Sequence, residues 1–355
     1  MQHKTNKRLT VKDIAAMAHV STGTVDRVLH ERGEVSEKTR KKILKLVEEN
    51  GYERDVMASA LASKKTYRIA VLIPSATKEI LFWKLPQAGL QKAMNEVKPF
   101  SFDIRQFNFD YFNKNDFQRN AEKAAAMKPD GILMTPVFHK ESIQFLESCK
   151  KKNIPVVLID SHIAGSDVLA YVGQDSFHSG SVAAGLIHYG IAEEASYIIV
   201  NISKRKDTYN QMFERAKGFR SYFEKNKIKN VSLHEVEIGE YDDASIARSL
   251  DGLIKKVKHI NGIFVSNSRV YKIADYLKKR KTKDIRLIGY DLLDENVAYL
   301  KNGIIHFLIS QKPEIQAFEG IMTLFNHLVL KKQVEQMHHL PIDIITKENI
   351  DYYKI

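Results

Sequence analysis

Cysteine is almost absent from this sequence, because Cys149 is the single one among 355 residues. No disulfide can form within such a chain, which fits a reducing compartment, and we expect Cys149 to be buried and inert. The sequence also lacks any run of 18 apolar residues, so no membrane-spanning helix is predicted. Its first residues, MQHKTNKRLTVKD, contain no apolar stretch of signal-peptide length. We therefore expect a cytoplasmic protein that stays where it is made, alongside the chromosome.

The common cofactor and catalytic motifs are missing too. No GxGxxG follows the first predicted strand and no GxxxxGK(S/T) occurs, so a nucleotide cofactor has no support. Asp160, Ser161 and His162 are neighbours in the chain, and a catalytic triad depends on spatial arrangement rather than on adjacent letters. His338 and His339 lack the spacing of metal ligands. We expect no enzyme activity, no cofactor and no metal.

Charge and length indicate what is present instead. The chain is long enough for two or three domains, and 44% of its residues are hydrophobic, which is enough for large cores. Residues 1–65 contain 14 basic and 9 acidic residues, so they carry +5 of the net charge of +12 and leave +7 to the other 290 residues. The charge density is about three times higher in this N-terminal segment, as contact with phosphates requires.

The same N-terminal segment has the pattern of a helix-turn-helix. Thr10 and Asp13 have the spacing of a capping box, and apolar residues then recur at helical intervals. Val20 fills a turn, and Ser21 begins a second helix with small polar residues that suit the major groove of DNA. A third amphipathic helix is predicted over residues 36–50. An ordinary pair of short helices is the alternative, but the order of the pieces favours DNA binding. The candidate DNA-contacting residues here are Thr10, Ser21, Thr22, Gly23, Thr24, Asp26, Arg27 and His30.

Three segments of different composition follow one another along the chain. Residues 1–52 contain a basic tail and the helical unit. Residues 53–66 are short and alanine-rich, and we expect them to become helical only against a partner. From residue 67 onward, apolar strands alternate with amphipathic helices, which predicts parallel sheets covered on both faces. We expect two lobes, lobe 1 with about 67–192 and 312–335, and lobe 2 with about 193–311 and 336–355.

In this order the parts resemble the LacI/GalR (lactose and purine repressor) family over essentially the whole chain. VKDIAAMAHVSTGTVDRVL followed by VSEKTRKKI matches the family's DNA-binding headpiece, and ASALAS matches its hinge helix. IGYD, with Gln311 some twenty residues later, matches an effector domain of the ribose-binding-protein type. The resemblance implies an α/β fold, with a three-helix helix-turn-helix headpiece and a two-lobed periplasmic-binding-protein-like domain of parallel sheets flanked by helices.

The resemblance also implies a function. Such a protein is a ligand-responsive regulator, expected to repress carbohydrate-related genes, that binds a pseudo-palindromic DNA operator as a homodimer. Its hinge segments fold in the minor groove, where Leu61 would wedge between base steps and Ala58 would lie one turn earlier. A plain packing residue in a linker is the alternative for Leu61. Gly23 and Asp26 depart from the usual recognition helix, so the operator is expected to differ from that of better-known members.

The strand ends and the resemblance together give a candidate effector site. Ligands in such folds bind at the carboxyl ends of the strands, between the lobes. The resemblance assigns ring stacking on a sugar to Phe82 and Trp83, although lobe core is the alternative for Trp83. A satisfied buried polar group is the alternative for each polar position. The candidate effector-binding residues are Phe82, Trp83, Asp160, Ser161, Arg215, Tyr241, Asn267, Asp291 and Gln311.

Two residues suggest what kind of effector this is. Ser268 replaces a usual aspartate and Arg269 follows it, so a sugar acid or a phosphorylated sugar is a hypothesis beside a neutral sugar. The sequence leaves open whether the ligand releases or promotes DNA binding. A transport-type sugar-binding protein and an enzyme on the same lobes are the alternative functions, and the headpiece argues against the first. The leucine heptads of the tetrameric lactose repressor are absent, so we expect a dimer.

Overall fold

The computed structural model describes residues 9–29, 33–50, 52, 57, 60–61, 65–191, 194–204, 210–257, 259–282 and 284–353. The chain divides into two compact units, residues 1–63 and residues 64–355. In the numbering used below, helices and strands are counted in chain order. No helix in these ranges is both long enough and apolar enough to cross a membrane.

The first unit contains three helices. The predicted capping box at the start of the first helix is confirmed, because the Asp13 carboxylate accepts from the Thr10 backbone N–H at 2.8 Å while the Thr10 hydroxyl accepts from the Asp13 N–H at 3.4 Å. The first helix ends at His19, whose φ of 54° lies in the left-handed region. The helices are α1 (Val11–Ala18), α2 (Thr22–Leu29) and α3 (Glu37–Glu49).

A small apolar core holds these helices together. Ile14 of α1, Val25 of α2 and Ile43 of α3 are each 0% exposed and lie in the same cluster. Burying side chains of this size contributes roughly 1.5–3 kcal/mol each. The Lys42 ammonium also donates to the Ala18 carbonyl at 2.9 Å, which ties α3 to the end of α1. The predicted three-helix unit is therefore confirmed.

The second unit is built on two six-stranded sheets. Lobe 1 contains β1 (Tyr67–Pro74), β2 (Phe102–Phe109), β3 (Gly131–Met134), β4 (Val156–Ile159), β5 (Ala170–Gly173) and β11 (Met337–His339). Lobe 2 contains β6 (Ala195–Ile202), β7 (Val231–Ile238), β8 (Ile260–Val265), β9 (Arg286–Tyr290), β10 (Phe307–Ser310) and β12 (Asp343–Ile345). The strand orders are β11-β5-β4-β3-β1-β2 and β12-β10-β9-β8-β6-β7, so the two sheets have equivalent strand orders and differ in the direction of the edge strands β11 and β12.

Helices cover both sheets. The helices of lobe 1 are α4 (Leu85–Val97), α5 (Lys114–Ala126), α6 (His139–Lys151) and α12 (Pro313–Leu328). The helices of lobe 2 are α7 (Ser176–His188), α8 (Asn210–Lys225), α9 (Asp243–Ile254), α10 (Val270–Lys279) and α11 (Asp294–Lys301). Short 3-10 turns span Leu81–Lys84, Lys98–Phe100 and Ile350–Tyr352. The expectation of parallel sheets between helices is confirmed, and β12 is the one antiparallel strand among the paired strands described.

The predicted boundary between the lobes differs from the structure at two places. Helix α7, expected in lobe 1, packs Ala184 and Ile187 into the core around Tyr197 of lobe 2, so the chain crosses just after Gln174 and not near residue 192. Strand β11 pairs with β5, so the stretch around residues 337–339 belongs to lobe 1 and not to lobe 2. Both errors have the same cause, since apolar periodicity predicts an element but not the sheet on which it packs.

Three crossovers therefore connect the lobes, and a buried glutamine links them. The Gln174 side-chain amide, in the first crossover, donates to the Ser310 carbonyl at 3.0 Å and reaches the Pro341 carbonyl at 3.5 Å.

Away from the crossovers, Cys149 is buried in the core of lobe 1, as predicted. Burial raises the pKa of its thiol to about 11, which disfavours the reactive thiolate.

Candidate functional site

Helix α2 presents a small polar surface. Its start is capped by Ser21, whose hydroxyl accepts from the Thr24 backbone N–H at 3.1 Å. Val25 and Val28 are buried in the core, and four other residues of the helix are exposed to solvent. The exposed positions are Thr22, Gly23, Asp26 and Arg27. This is the arrangement that a recognition helix needs to reach base edges.

The other candidate DNA contacts are placed as follows. Thr10 is exposed at the start of α1, Ser21 is exposed at the start of α2, and Thr24 is half-buried beside it. Leu61 is 53% exposed. His30 and Ala58 lie outside the described residues. A methyl group built on Gly23 would meet nothing closer than the Ser21 hydroxyl at 3.7 Å, so packing within this unit does not require a glycine there.

A cleft lies between the two lobes, at the carboxyl ends of their strands. Counted out to the open solvent at its mouth, its empty volume is about 880 Å³. Seven of the nine candidate effector residues line it: Phe82, Trp83, Asp160, Ser161, Arg215, Asn267 and Gln311. Phe82 and Trp83 form a T-shaped pair with ring centroids 5.0 Å apart, on the 3-10 turn that precedes α4.

Asp160 carries the only carboxylate among the described lining residues. It follows β4 with φ of 67°, a left-handed conformation that turns the chain at the strand end. Its backbone N–H donates to the Gln316 side chain at 2.7 Å, and its carbonyl accepts from the Tyr171 hydroxyl at 3.2 Å. Desolvation raises the pKa of its carboxyl to about 6, although the Arg215 charge opposes the rise. These two hydrogen bonds fix the backbone of Asp160 at the cleft.

Arg215 lines the cleft from α8 and is almost fully buried, with 2% of its surface exposed. Its guanidinium stacks 3.9 Å from the centroid of the Tyr290 ring, donates to the Ser266 carbonyl at 2.9 Å and donates to the Gln311 side-chain oxygen. Its Nε–H is buried and has no partner among the described residues. Gly180 on α7 lets the backbone of α8 approach closely at Arg215. A methyl group on Gly180 would overlap the Arg215 backbone carbonyl.

Asp291 does not line the cleft but lies behind Gln311. It follows β9 with φ of 69°, and its carboxylate accepts from the Gln311 side-chain amide at 2.7 Å. Desolvation raises the pKa of this carboxyl to about 7, against the opposing effect of Arg215. Arg215, Gln311 and Asp291 therefore form a buried chain of donors and acceptors. Gln316 extends it to lobe 1, since its amide donates to the Gln311 carbonyl at 2.8 Å.

Tyr241 also lies behind the lining. Its ring contacts two cations, with the Arg269 guanidinium 4.2 Å and the Lys204 ammonium 4.9 Å from the ring centroid. Arg269 itself lines the cleft, immediately before α10. Tyr241 therefore supports a residue of the cleft instead of forming its surface.

Several lining residues were missed in the sequence. Tyr111 and His139 follow β2 and β3, so the rule that selects strand ends applies to them as well. Gln211 is on the first turn of α8, and its amide donates across the cleft to the Asp160 carbonyl. No local pattern could have identified that contact, because it joins two lobes. The missed lining residues are Ile80, Tyr111, Pro136, Val137, His139, His162, Ile163, Ile202, Ser203, Gln211 and Met212, whereas Ser268 and Arg269, which the sequence had linked to the kind of effector, also line the cleft.

Comparison with known families agrees with this division of the chain. Residues 10–55 match the family described as "Bacterial regulatory proteins, lacI family", and residues 69–332 match the family described as "Periplasmic binding protein domain". A solved structure described as a LacI transcriptional regulator from Bacteroides fragilis is 32% identical, with a TM-score of 0.75 over 82% of this chain and 100% of that one.

Curated relatives include two repressors of similar length. The probable HTH-type transcriptional repressor ExuR of Bacillus subtilis is 27% identical over 80% of this chain and 81% of its own. The ribose operon repressor of Halalkalibacterium halodurans is 24% identical over 96% of both chains. A glucose-galactose binding protein from Geobacillus stearothermophilus shares the fold of the second unit, with a TM-score of 0.69 at 22% identity.

The helix-turn-helix and the two-lobed domain define a DNA-binding transcription regulator with a ligand-binding module. The chain belongs to the LacI family of bacterial regulatory proteins.

Proposed function

We propose that this protein is a cytoplasmic repressor that binds a pseudo-palindromic operator as a homodimer and responds to a polyhydroxylated small molecule in the cleft. Residues 1–52 would read the operator, residues 53–66 would form the hinge and residues 67–355 would bind the effector and the partner subunit. The names of the relatives support a role in carbohydrate metabolism, since they include ribose and sucrose operon repressors.

The observation that carries the effector proposal is the pairing of Arg215 with Asp160. An arginine with a buried, unpartnered Nε–H faces the same cleft as a partly desolvated carboxylate. An unmet donor in a low-dielectric site costs about 1–3 kcal/mol, which a ligand oxygen would recover. A hydroxyl group suits both residues, because it accepts from the arginine and donates to the carboxylate. The rings of Phe82 and Trp83 supply the flat apolar surface that a sugar face needs.

Trp83 gives a direct measurement of ligand binding. It is the single tryptophan of the chain and lines the cleft. Titration of the full chain with pentoses, hexoses and their acid and phosphate derivatives should change its fluorescence saturably for at least one compound. The same titration of Trp83→Phe, followed by calorimetry, controls for signals unrelated to the cleft. If no compound of any class binds, the effector proposal is wrong.

Selection of bound DNA from a random pool tests the DNA proposal. A dimer should enrich a sequence with two-fold symmetry, because each headpiece reads one half-site. Arg27→Ala should weaken binding to that sequence at least tenfold, while Lys45→Ala, an exposed position on α3, should change it much less. Enrichment of sequences without symmetry would count against the dimer, and absence of enrichment would count against sequence-specific recognition.

Gly23 provides a second test on α2. Gly23→Ala has room for its methyl group and should stabilise the headpiece by about 1 kcal/mol. We propose that this glycine serves a close approach to DNA, so the same variant should bind the selected operator more weakly. A variant that is both more stable and fully active would show that the glycine has no role in recognition.

A further inference from the structure

Arg269 stands apart from the other charged residues of the cleft. It follows β8 through Asn267 and Ser268 and lines the cleft on the lobe 2 side. Its guanidinium rests on the Tyr241 ring and reaches the Glu79 backbone carbonyl at 3.4 Å. Its Nε–H is buried, with no hydrogen-bond partner among the described residues. The side chain is therefore held in place with a donor still unused.

No carboxylate in the described ranges forms an ion pair with Arg269. Glu79, whose carbonyl it contacts, directs its carboxylate to Lys204 at 3.2 Å. The two aspartates at the strand ends lie near Arg215, whose charge opposes the rise in pKa that burial causes in both. Arg215 thus has carboxylates near it, whereas the contacts of Arg269 among the described residues are the Tyr241 ring and the Glu79 backbone carbonyl. A partly desolvated guanidinium without an anion favours an anionic ligand.

The local backbone adds to this preference. Helix α10 begins at Val270, directly after Arg269, and the Asn296 side-chain oxygen accepts from the Tyr271 backbone N–H of its first turn at 2.9 Å. The N-terminus of a helix carries a partial positive charge that stabilises a nearby anion. The positive end of helix α10 therefore lies next to Arg269.

We propose that the natural effector carries a carboxylate or a phosphate that binds Arg269, while its hydroxyl groups bind the Asp160 and Arg215 end of the cleft. This inference rests on the proposed function, because it needs the cleft to be the effector site. It assigns the two ends of the cleft to different parts of one molecule. The carboxylate end of lobe 1 would take donors, and the Arg269 end of lobe 2 would take the negative charge.

Matched ligands test the proposal. Calorimetry on the full chain should compare each sugar with its uronic or aldonic acid and its phosphate, for example D-glucose with D-glucuronate, D-gluconate and D-glucose 6-phosphate, and the same sets for galactose and ribose. The best anionic ligand should bind at least tenfold more tightly than its neutral parent. A preference for the acid or for the phosphate identifies which anion the site takes.

Variants locate the charge. Arg269→Gln should remove most of the preference for the anionic ligand and leave the affinity for the neutral parent within about threefold. Arg269→Lys should restore part of it. Arg248→Gln, an exposed arginine on α9 of the same lobe, is the matched control and should change nothing. These comparisons use ratios of affinities, so a general loss of stability does not imitate the result.

Each outcome decides between the two proposals. If the tightest ligand is a neutral sugar, or if Arg269→Gln leaves the anion preference intact, the Arg269 inference is overturned while the effector site stands. If no member of any set binds, the effector site itself fails and the inference fails with it. Anion preference that disappears only in Arg269→Gln supports both.

Discussion

In each lobe the fourth strand in chain order, β4 or β9, is followed by an aspartate with a left-handed backbone. The two aspartate side chains nevertheless differ in position. Asp160 of lobe 1 lies in the cleft, whereas Asp291 of lobe 2 is 1% exposed and covered by Gln311. Lobe 1 also supplies the aromatic pair of Phe82 and Trp83, and lobe 2 supplies both arginines of the lining. Equivalent strand orders thus present a carboxylate from one side and guanidinium groups from the other.

This difference shows why neither lobe is a complete site. A hydroxyl that accepts from Arg215 and donates to Asp160 needs both lobes at once. The lobes already touch through the Gln211 amide and the Asp160 carbonyl, and the proposed effector, by contacting both lobes, would favour this closed arrangement. A change in that arrangement is what the proposed repressor would transmit to DNA.

Removal of Arg215 should have the largest effect, because its charge lies near the aspartates of both lobes. Arg215→Met leaves the carboxyls of Asp160 and Asp291, whose pKa values are raised by burial, without their counter-charge. We therefore expect a loss of about 3–5 kcal/mol in the free energy of unfolding at pH 8, where both carboxyls are ionised. The loss should be smaller at pH 6, because protonated carboxyls need no counter-charge. Chemical denaturation at both pH values measures it. Arg220→Gln, which removes an ion pair with Glu235 at the surface, is the control and should cost less than about 1 kcal/mol.

The pH dependence of stability should separate the two aspartates. The folded pKa of Asp291 is raised to about 7, so its contribution to stability is lost as the pH rises through that value. Between pH 5 and 7, where the unfolded carboxyl is ionised and the folded one is still largely protonated, the loss should be about 2 kcal/mol, since one pKa unit corresponds to about 1.4 kcal/mol. Asp291→Asn should flatten this slope in thermal unfolding. Asp160→Asn should flatten it less, because the folded pKa of Asp160 is about 6 and its contribution is lost over a narrower pH range. An unchanged slope in Asp291→Asn would refute the assignment.

The sequence was sufficient for most helices and strands, but not for their partners. Strand β1 and helix α2 have clear apolar patterns, and the structure confirms both. Helix α7 was placed in the wrong lobe because its small apolar residues fit either sheet. Asp160 and Arg215 were selected by resemblance to a family. Their long-range contacts with Gln211, Gln316 and Ser266 depend on the folded chain, which no local pattern encodes.

The contact between the lobes should have a moderate effect. Gln211→Ala removes the donor to the Asp160 carbonyl, and a neutral hydrogen bond contributes about 0.5–1.5 kcal/mol. We therefore expect about three- to tenfold weaker effector binding, with a larger radius of gyration in solution scattering of the liganded protein. Gln118→Ala, an exposed glutamine on α5, serves as the control. Equal affinities for the two variants would mean that this bridge does not stabilise the closed lobes.

The smallest effect is expected at Tyr241. Its hydroxyl accepts from the Lys204 backbone N–H at only 3.4 Å, whereas its ring lies against Arg269. Tyr241→Phe keeps the ring and should change effector affinity less than twofold. Tyr241→Leu loses the cation–π contact and should weaken binding of an anionic effector more, by roughly 0.5–1 kcal/mol. Calorimetry with the best ligand distinguishes the two. A large effect of Tyr241→Phe would mean that the hydroxyl, and not the ring, positions Arg269.

The central claim is that occupation of the cleft controls DNA binding, and one measurement tests it directly. The affinity of the full chain for its selected operator is determined with and without a saturating cleft ligand, for the unmodified protein and for Arg215→Met. The account predicts at least a tenfold change for the unmodified protein. It predicts no change for the variant, whose ligand-free affinity for DNA should remain normal. Ligand binding that leaves the operator affinity of the unmodified protein unchanged would contradict it.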